Sequence, residues 1–263
     1  MEEYVYEYMI SHHIETNAIY IPIFWTNLQN HPGFLQMKSK YNLLVQEAFK
    51  EYPTSTTFFT IVQHDDGPQL DLPSNTIIFG ACTGTIPLPL IYEDVSHTLE
   101  KKTRVQKDIL ASFIGSITHP IREQLITTVE NYDTIICQGK KGWTPIVSDS
   151  AANQFVTTTL RSKFCLAPRG YGRSSFRFVE AMQLDTIPVY IWDDICWLPY
   201  QEYIDYSTCS VCINKNDLHR IHEILSNITE ETYTEMMESM QKIRSIFTLK
   251  WMCEYICSIV KKY

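Results

Sequence analysis

Residues 163–194, KFCLAPRGYGRSSFRFVEAMQLDTIPVYIWDD, decide the fold, because they read as strand, glycine-rich loop, helix and strand in one unbroken run. Phe164 to Ala167 is an apolar stretch of buried-strand length, and Pro168, lacking an amide hydrogen for the ladder, ends it. The loop Arg169-Gly170-Tyr171-Gly172 follows. From Ser174 the spacing turns helical, with Phe176, Val179, Met182 and Gln183 at intervals of three or four and Ser174 or Ser175 as the N-cap. The helix delivers Ile187 to Trp192, apolar and β-branched as a parallel strand buried on both faces requires, and the run ends in Asp193-Asp194. Loop and helix N-terminus therefore lie at the carboxyl end of a parallel strand, where open α/β sheets bind ligands.

Arg169, Arg173 and Arg177 fall on that loop and the first helical turn, beside backbone amides and the positive end of the helix dipole. An anion is the natural guest, and guanidinium forks suit a diphosphate better than an ammonium does. Glu180 lies one turn on from Arg177, where a carboxylate accepts from the hydroxyls of a ribose. The constellation reads as a nucleoside diphosphate site. Two other readings fit some of the same residues. Gly170 and Gly172 serve a plain tight turn if the arginines only pair with surface acids. Gly170-x-Gly172 with an acidic pair beyond the next strand also imitates a dinucleotide fingerprint, but its third small position is Ser175, and the motif sits in the second half of the chain.

The segment Phe164-Cys165-Leu166-x-Pro168-Arg169-Gly170-Tyr171-Gly172-x-x-Ser175-Phe176-Arg177-x-x-Glu180-Ala181, continued by Ile187-Pro188-Val189 and Asp193-Asp194, resembles the signature of the exostosin family of glycosyltransferases. Ala18 to Thr26 is similar to that family's first core strand, Phe58 to Pro68 to its histidine and aspartate loop, and Phe113 to Leu125 to the strand, turn and arginine helix that open its second domain. The resemblance implies an α/β chain of GT-B type: two Rossmann-like domains facing a cleft, with a C-terminal helix crossing back to the first. On that reading residues 1–104 form the acceptor-binding domain, joined by the helix 245–263, and residues 105–244 bind the nucleotide sugar. It further implies an inverting transfer from a UDP-sugar to a hydroxyl of an oligosaccharide or glycoprotein acceptor, with no metal and no other cofactor. The sequence holds no Asp-x-Asp with which to clamp a metal on a diphosphate, so arginine and helix dipole would neutralise the leaving group. By the same resemblance Gly115, Ser116 and Arg122 join Arg169, Gly170, Tyr171, Gly172, Ser174, Ser175, Arg177 and Glu180 around the donor. The donor sugar stays open, with a lean to xylose or galactose because no extra basic residue marks a uronate site.

An inverting transfer needs a base to deprotonate the acceptor hydroxyl. His64-Asp65-Asp66-Gly67 follows an apolar strand and so projects from its end; Asp66 or Asp65 is the candidate base and His64 orients the acceptor. An Asx turn running into Gly67-Pro68 accounts for the same residues. Glu15, His12 and His13 are alternatives, and Trp25 and His13 are candidates for acceptor contact; Tyr171 is the aromatic singled out for stacking on the donor.

A net charge of −8 argues against a nucleic-acid partner, and 44% hydrophobic content gives ample core for 263 residues. Members of the family are usually anchored by an amino-terminal membrane helix, whereas the amino-terminal MEEYVYEYMISHH reads as neither signal peptide nor membrane span; either the chain is trimmed or it is a compact soluble member, and the expectation is the cytoplasm, that of the host if a virus encodes it. Eight scattered cysteines suit reduced core thiols, and Cys209-x-x-Cys212 lacks the second pair of a zinc site. Strands are expected near 18–24, 57–62, 76–81, 113–116, 134–137 and 208–213, and helices over 34–49, 120–130, 153–160, from Asp217, and throughout 230–262. Leu35, Tyr41, Leu44, Val45 and Ala48 should face inward from the first of these helices, and 86–97 is the expected hinge. A binding module of the same fold without activity, and a nicotinamide-dependent oxidoreductase, are the competing functions.

Overall fold

The computed structural model describes residues 1–91, 105–144 and 146–263, and its chain divides into two compact units. The first comprises Met1–Leu90, Trp197–Pro199 and Thr248–Tyr263; the second comprises Ile91–Cys196 and Tyr200–Phe247. Trp197–Pro199 joining the first unit was not foreseen: the buried Trp197 indole donates to the Gly80 carbonyl at 3.2 Å. Of the expected hinge, Ile86–Pro87 is a short strand, and residues 92–97 lie outside the described residues.

In the first unit β1 (Ile19–Tyr20), β2 (Phe58–Val62), β3 (Thr76–Gly80) and β4 (Ile86–Pro87) form a parallel sheet in sequential order. Every residue of β2 is buried, which its continuous apolar run demands of a central parallel strand. Around the sheet lie α1 (Glu2–Ser11), α2 (Trp25–Gln29), α3 (Phe34–Phe49) and the last helix, α9 (Leu249–Val260). Helix α1 has no counterpart in the sequence expectations; Val5 and Met9 bury it. The expected inward face of α3 is corrected. Only Tyr41 and Val45 pack on the cluster of Trp25, Phe34, Val62 and Leu70, while Leu35 (76% exposed), Leu44 and Ala48 face outward.

In the second unit five parallel strands run in the order β6 (Ile135–Lys141), β5 (Ile109–Ile117), β7 (Ser162–Pro168), β8 (Ile187–Trp192), β9 (Val211–Asn214). From β5 the chain steps to one side for β6 and then to the other for β7, so a topological switch point falls between β5 and β7. The connecting helices are α4 (Pro120–Val129), α5 (Asp149–Arg161), α6 (Phe176–Gln183), α7 (Ile221–Ser226) and α8 (Glu230–Ile243). Phe113, Leu125, Phe164, Leu166, Val189 and Ile213 make the main core between sheet and helices.

The single helix expected over 230–262 is broken. α8 ends in a 3₁₀ turn at Arg244–Ile246, and Thr248, whose Oγ1 accepts from the Trp251 amide at 3.2 Å, starts α9 afresh. The break resets the helical phase: Met236 and Met240 face inward before it, and Met252, Tyr255, Ile256 and Val260 after it, leaving Trp251 and Ile259 half-buried. No helix among the described residues is long and apolar enough to cross a membrane.

Candidate functional site

The switch point of the second unit is lined by two strand ends. β5 ends at Ile117, and His119 caps α4 by accepting the Ile121 amide on Nδ1 at 3.3 Å, with Pro120 opening the helix where a missing amide costs nothing. This places Arg122 in the first turn, facing back across the strand ends. Its Nη1 donates to the Ser116 carbonyl at 2.7 Å, Nη2 to Pro168 at 3.0 Å and Nε to Arg169 at 2.9 Å, and the guanidinium lies over the Phe113 ring. Arg122, a residue expected to meet a diphosphate, clasps the ends of β5 and β7 together. Gly170 lies close under that clasp: a Cβ there would stand 3.2 Å from both Arg122 Nη2 and Thr118 Oγ1. Gly115 likewise leaves room for the Phe113 ring, 2.9 Å from where its Cβ would be.

The arginines of the glycine-rich loop are paired with acids. Arg169 Nη1 bonds Asp193 at 2.7 Å and Asp194 at 2.9 Å, while its Nη2 donates to the Tyr171 carbonyl at 2.9 Å. Arg173 bonds Asp194 through Nε at 2.9 Å and Nη2 at 2.8 Å. Burial raises the Asp194 carboxyl, but the Arg173 hydrogen bond, the Ile195 amide and the two guanidinium charges outweigh it and hold the group at about 2. Burial, and then the charge of Arg169, press the His119 imidazole below its ordinary value, against the pull of Asp193, whose Oδ2 lies 3.6 Å from Nε2. His119 is therefore neutral, with Nδ1 as acceptor and the proton on the nitrogen that faces Asp193.

The N-cap of α6 is Ser175, a buried residue whose side chain makes no cap hydrogen bond. On its first two turns Arg177 donates through Nε to the Ile114 carbonyl at 2.9 Å, stacks 3.9 Å over the Phe155 ring and pairs through Nη1 with Glu180. Tyr171 is 64% exposed beside buried Gly172. The structure thus brings Gly115, Ser116, Arg122, Arg169, Gly170 and Arg177 to the two strand ends at one switch point, with Tyr171, Gly172, Ser174 and Glu180 on the loop and helix that follow. The guanidinium groups of Arg122, Arg169 and Arg177 are already engaged with carboxylates or backbone carbonyls, so an anion meeting them exchanges partners rather than filling bare donors.

The first unit's candidates are arranged differently. His64–Gly67 is a turn at the end of β2: His64 Nδ1 accepts the Asp66 amide at 3.3 Å, the His64 carbonyl accepts the Gly67 amide at 3.1 Å, and Gly67 takes a left-handed φ of 73°. Asp65 and Asp66 are exposed on it; Asp65 Oδ1 accepts from the Cys82 thiol at 3.4 Å, and Asp66 Oδ2 from the Gln69 amide group at 3.3 Å. A turn is present, but the Asx turn is corrected: His64, through Nδ1 and its carbonyl, accepts the amides that an aspartate carboxylate would take, and both carboxylates are exposed. Trp25 is corrected: it is fully buried, its indole donating to Thr60 Oγ1 at 2.8 Å, and it offers no face to a sugar. His13 is exposed at φ 48° just past α1, in a shallow concavity with His12, Glu15, Asn17 and Lys261.

Sequence reasoning passed over His119, Glu2 and Gln29. Buried Glu2 accepts the Thr26 amide at 3.1 Å, the Thr26 hydroxyl at 2.9 Å and the Gln63 amide at 2.7 Å, fixing the residue before His64. Gln29 donates to the Gly67 carbonyl at 3.0 Å and accepts from the Gln69 amide at 2.7 Å. Only the proline after His119 signalled its capping role. Among the described residues no group of three His, Cys, Asp or Glu is placed to hold a metal ion. Burial pushes the Cys165 and Cys209 thiols up to about 12, as core positions do.

Residues 29–228 match the family model described as Exostosin GT47 domain. An exostosin-1 homolog of Caenorhabditis elegans is 24% identical over 208 residues, 67% of this chain and 53% of the relative. A probable glycosyltransferase of Arabidopsis thaliana is 29% identical over 141 residues, 54% of this chain and 26% of the relative. The chain thus spans about half the length, or less, of these relatives. Among solved structures, WaaG, a glycosyltransferase involved in lipopolysaccharide biosynthesis, aligns over 98% of this chain and 81% of its own with a TM-score of 0.42 at 12% identity.

Proposed function

The chain belongs to the exostosin GT47 family, and from that premise we propose that it is a glycosyltransferase that takes a sugar from a UDP-sugar and moves it, with inversion, onto a hydroxyl of a glycan acceptor. The observation that carries the donor half is the switch point between β5 and β7, with an arginine-rich loop and the N-terminus of α6 at its mouth. The diphosphate takes the first-turn amides of α6 together with guanidinium groups now paired to carboxylates, Arg173 and Arg177 foremost; Glu180 turns from Arg177 to the ribose hydroxyls, and Tyr171 covers the donor. Fixed positive charge at that position stabilises the diphosphate as the glycosidic bond breaks and the bonding electrons leave with it, and the reading calls for no metal. The acceptor hydroxyl attacks the anomeric carbon from the opposite face and gives its proton to a carboxylate. Asp66 or Asp65 is the proposed base, both exposed at the carboxyl end of the fully buried strand β2, with His64 beside them. Exposed His13 is kept as an acceptor contact; Trp25 is not. Xylose and galactose remain the donor sugars this reading favours.

The test is calorimetric titration with UDP in the presence of EDTA, followed by UDP-sugar turnover. Arg177→Ala and Glu180→Ala are each expected to weaken UDP by about tenfold or more, the loss of one charge-assisted contact. Asp66→Asn, or Asp65→Asn if that residue is the base, is expected to keep UDP affinity and lower kcat by about 10² to 10⁴. Absence of UDP binding by the unaltered protein would overturn the transferase reading and leave the inactive binding module; NAD⁺ binding in its place would favour the oxidoreductase.

A further inference from the structure

The turn between β6 and α5 bears three large apolar side chains that no described residue covers: Trp143 is 64% exposed, Val147 61% and Ile146 82%, the highest exposure of any large apolar residue among those described. The turn holds them outward by its own hydrogen bonds. Thr144 Oγ1 accepts the Ile146 amide at 3.2 Å and donates to the Ile146 carbonyl at 3.3 Å. Gly142, at φ 77°, takes the chain away from β6, and Ser148 Oγ accepts the Ala151 amide at 3.3 Å to begin α5. Immediately before the turn, Lys140 and Lys141 end the edge strand β6, both exposed and neither in an ion pair among the described residues. Beside the apolar tip these two lysines, against the single exposed Asp149 that opens α5, carry a local excess of positive charge on a protein of net charge −8.

We infer that Trp143, Ile146 and Val147, flanked by Lys140 and Lys141, dock this unit on an anionic phospholipid surface. The chemistry selects that partner over others. A sugar ring would be stacked by Trp143, but the two branched aliphatic tips offer it no flat face and no hydrogen bond. A second copy of the chain meeting this patch across a two-fold axis would bring the four lysines of the pair together. A bilayer interface accepts all five groups at once: indole at headgroup depth, aliphatic tips at the acyl boundary, and ammonium groups on lipid phosphate and carboxylate. Because Gly139, Lys140 and Lys141 pair in register with Gly115, Ser116 and Ile117, the docked edge is the carboxyl edge of the same sheet that carries the switch point. The inference does not depend on the transferase reading, since it rests on the turn alone.

The experiment is co-sedimentation of the full chain with phosphatidylcholine vesicles and with vesicles in which about a third of the lipid is phosphatidylserine, at low and high salt. Saturable binding to the anionic vesicles is expected, weakening as salt rises. Lys140→Gln with Lys141→Gln should reduce the partition coefficient by about thirtyfold, from roughly one kcal/mol per lysine near a charged surface. Trp143→Ala with Ile146→Ser should reduce it further while leaving the melting temperature unchanged, as these side chains bury little. A brominated-lipid probe should quench tryptophan emission more in the unaltered protein than in Trp143→Phe, because Trp143 is the most exposed of the five tryptophans: Trp25 and Trp197 are buried, and half-buried Trp192 and Trp251 contribute equally to both proteins. No partition onto anionic vesicles, or binding that the paired substitutions leave intact, overturns the inference. Concentration-dependent dimerisation that Trp143→Ala abolishes, without lipid binding, would assign the patch to a second copy instead.

Discussion

Two turns in this molecule start alike and end differently. Each follows the carboxyl end of a buried parallel strand, β2 in the first unit and β5 in the second, and in each a histidine Nδ1 accepts the backbone amide two residues on, His64 from Asp66 and His119 from Ile121, both at 3.3 Å. After His119 comes Pro120, which begins a helix and swings Arg122 back over the strand ends. After His64 come two aspartates and Gly67 in a left-handed conformation, where a Cβ would come within 2.7 Å of Thr83, and Pro68 then leads the chain away. The second unit's turn directs its charge inward onto carbonyls. The first unit's turn is fastened from its flanks by Glu2 and Gln29, which frees Asp65 and Asp66 to face outward. One device fixes a crevice; the other presents carboxylates.

The sharpest way to break this comparison is to remove the two clasps. Arg122→Met deletes three charge-assisted hydrogen bonds to carbonyls at the switch point, of which each such bond is worth about 1.5 to 3 kcal/mol. Water re-solvates part of what is lost, and a net cost of about 3 kcal/mol is expected. Gln29→Ala removes two neutral hydrogen bonds and should cost about 1 kcal/mol. Thermal unfolding of both variants against the parent checks the ranking; equal losses would mean that the guanidinium is no more a clasp than the amide.

A smaller effect comes from the carboxylates that occupy the arginines. Asp194 bonds both Arg169 and Arg173 where a diphosphate would sit. Asp194→Asn is therefore expected to tighten binding of UDP, and of pyrophosphate alone, several-fold, since it removes a like charge from the anion site and releases a guanidinium. Calorimetry decides: weaker binding would show that Asp194 positions Arg173 rather than competing for it.

What could be read from residues 163–194 was local. Strand, loop, helix and strand announce themselves by a change of period within one run, and the structure has all four there. The exposed display of Asp65 and Asp66 followed from their place just beyond an apolar strand. The carbonyl partners of Arg122 could not be read, because Pro168 and Arg169 lie far along the chain and are brought alongside only by the strand order. Trp25 had the look of a strand-end aromatic, but the Thr60 hydroxyl gives its indole a buried partner that no spacing reveals. The outward leucines of α3 and the break at Arg244–Ile246 share a cause: apolar residues recur at helical spacing whether or not something packs on them.

The smallest effect is a pH dependence at the His119 turn. His119 is pressed below its ordinary value first by burial and then by Arg169, so its folded value lies under the 6.5 of a free imidazole. As pH falls through about 6.5 the unfolded chain takes up a proton that the folded chain still refuses, so stability declines until His119 itself protonates, and then levels. Asn at this position keeps a side-chain oxygen to cap α4 and carries no titrating group. His119→Asn is therefore expected to melt within a degree or two of the parent at pH 7.5 and to lose less on acidification to pH 5, a difference of about 1 kcal/mol or below for a partly exposed site. A parallel decline of both proteins would place the pH sensitivity elsewhere and reduce His119 to a cap, the role that His64 plays in its own turn.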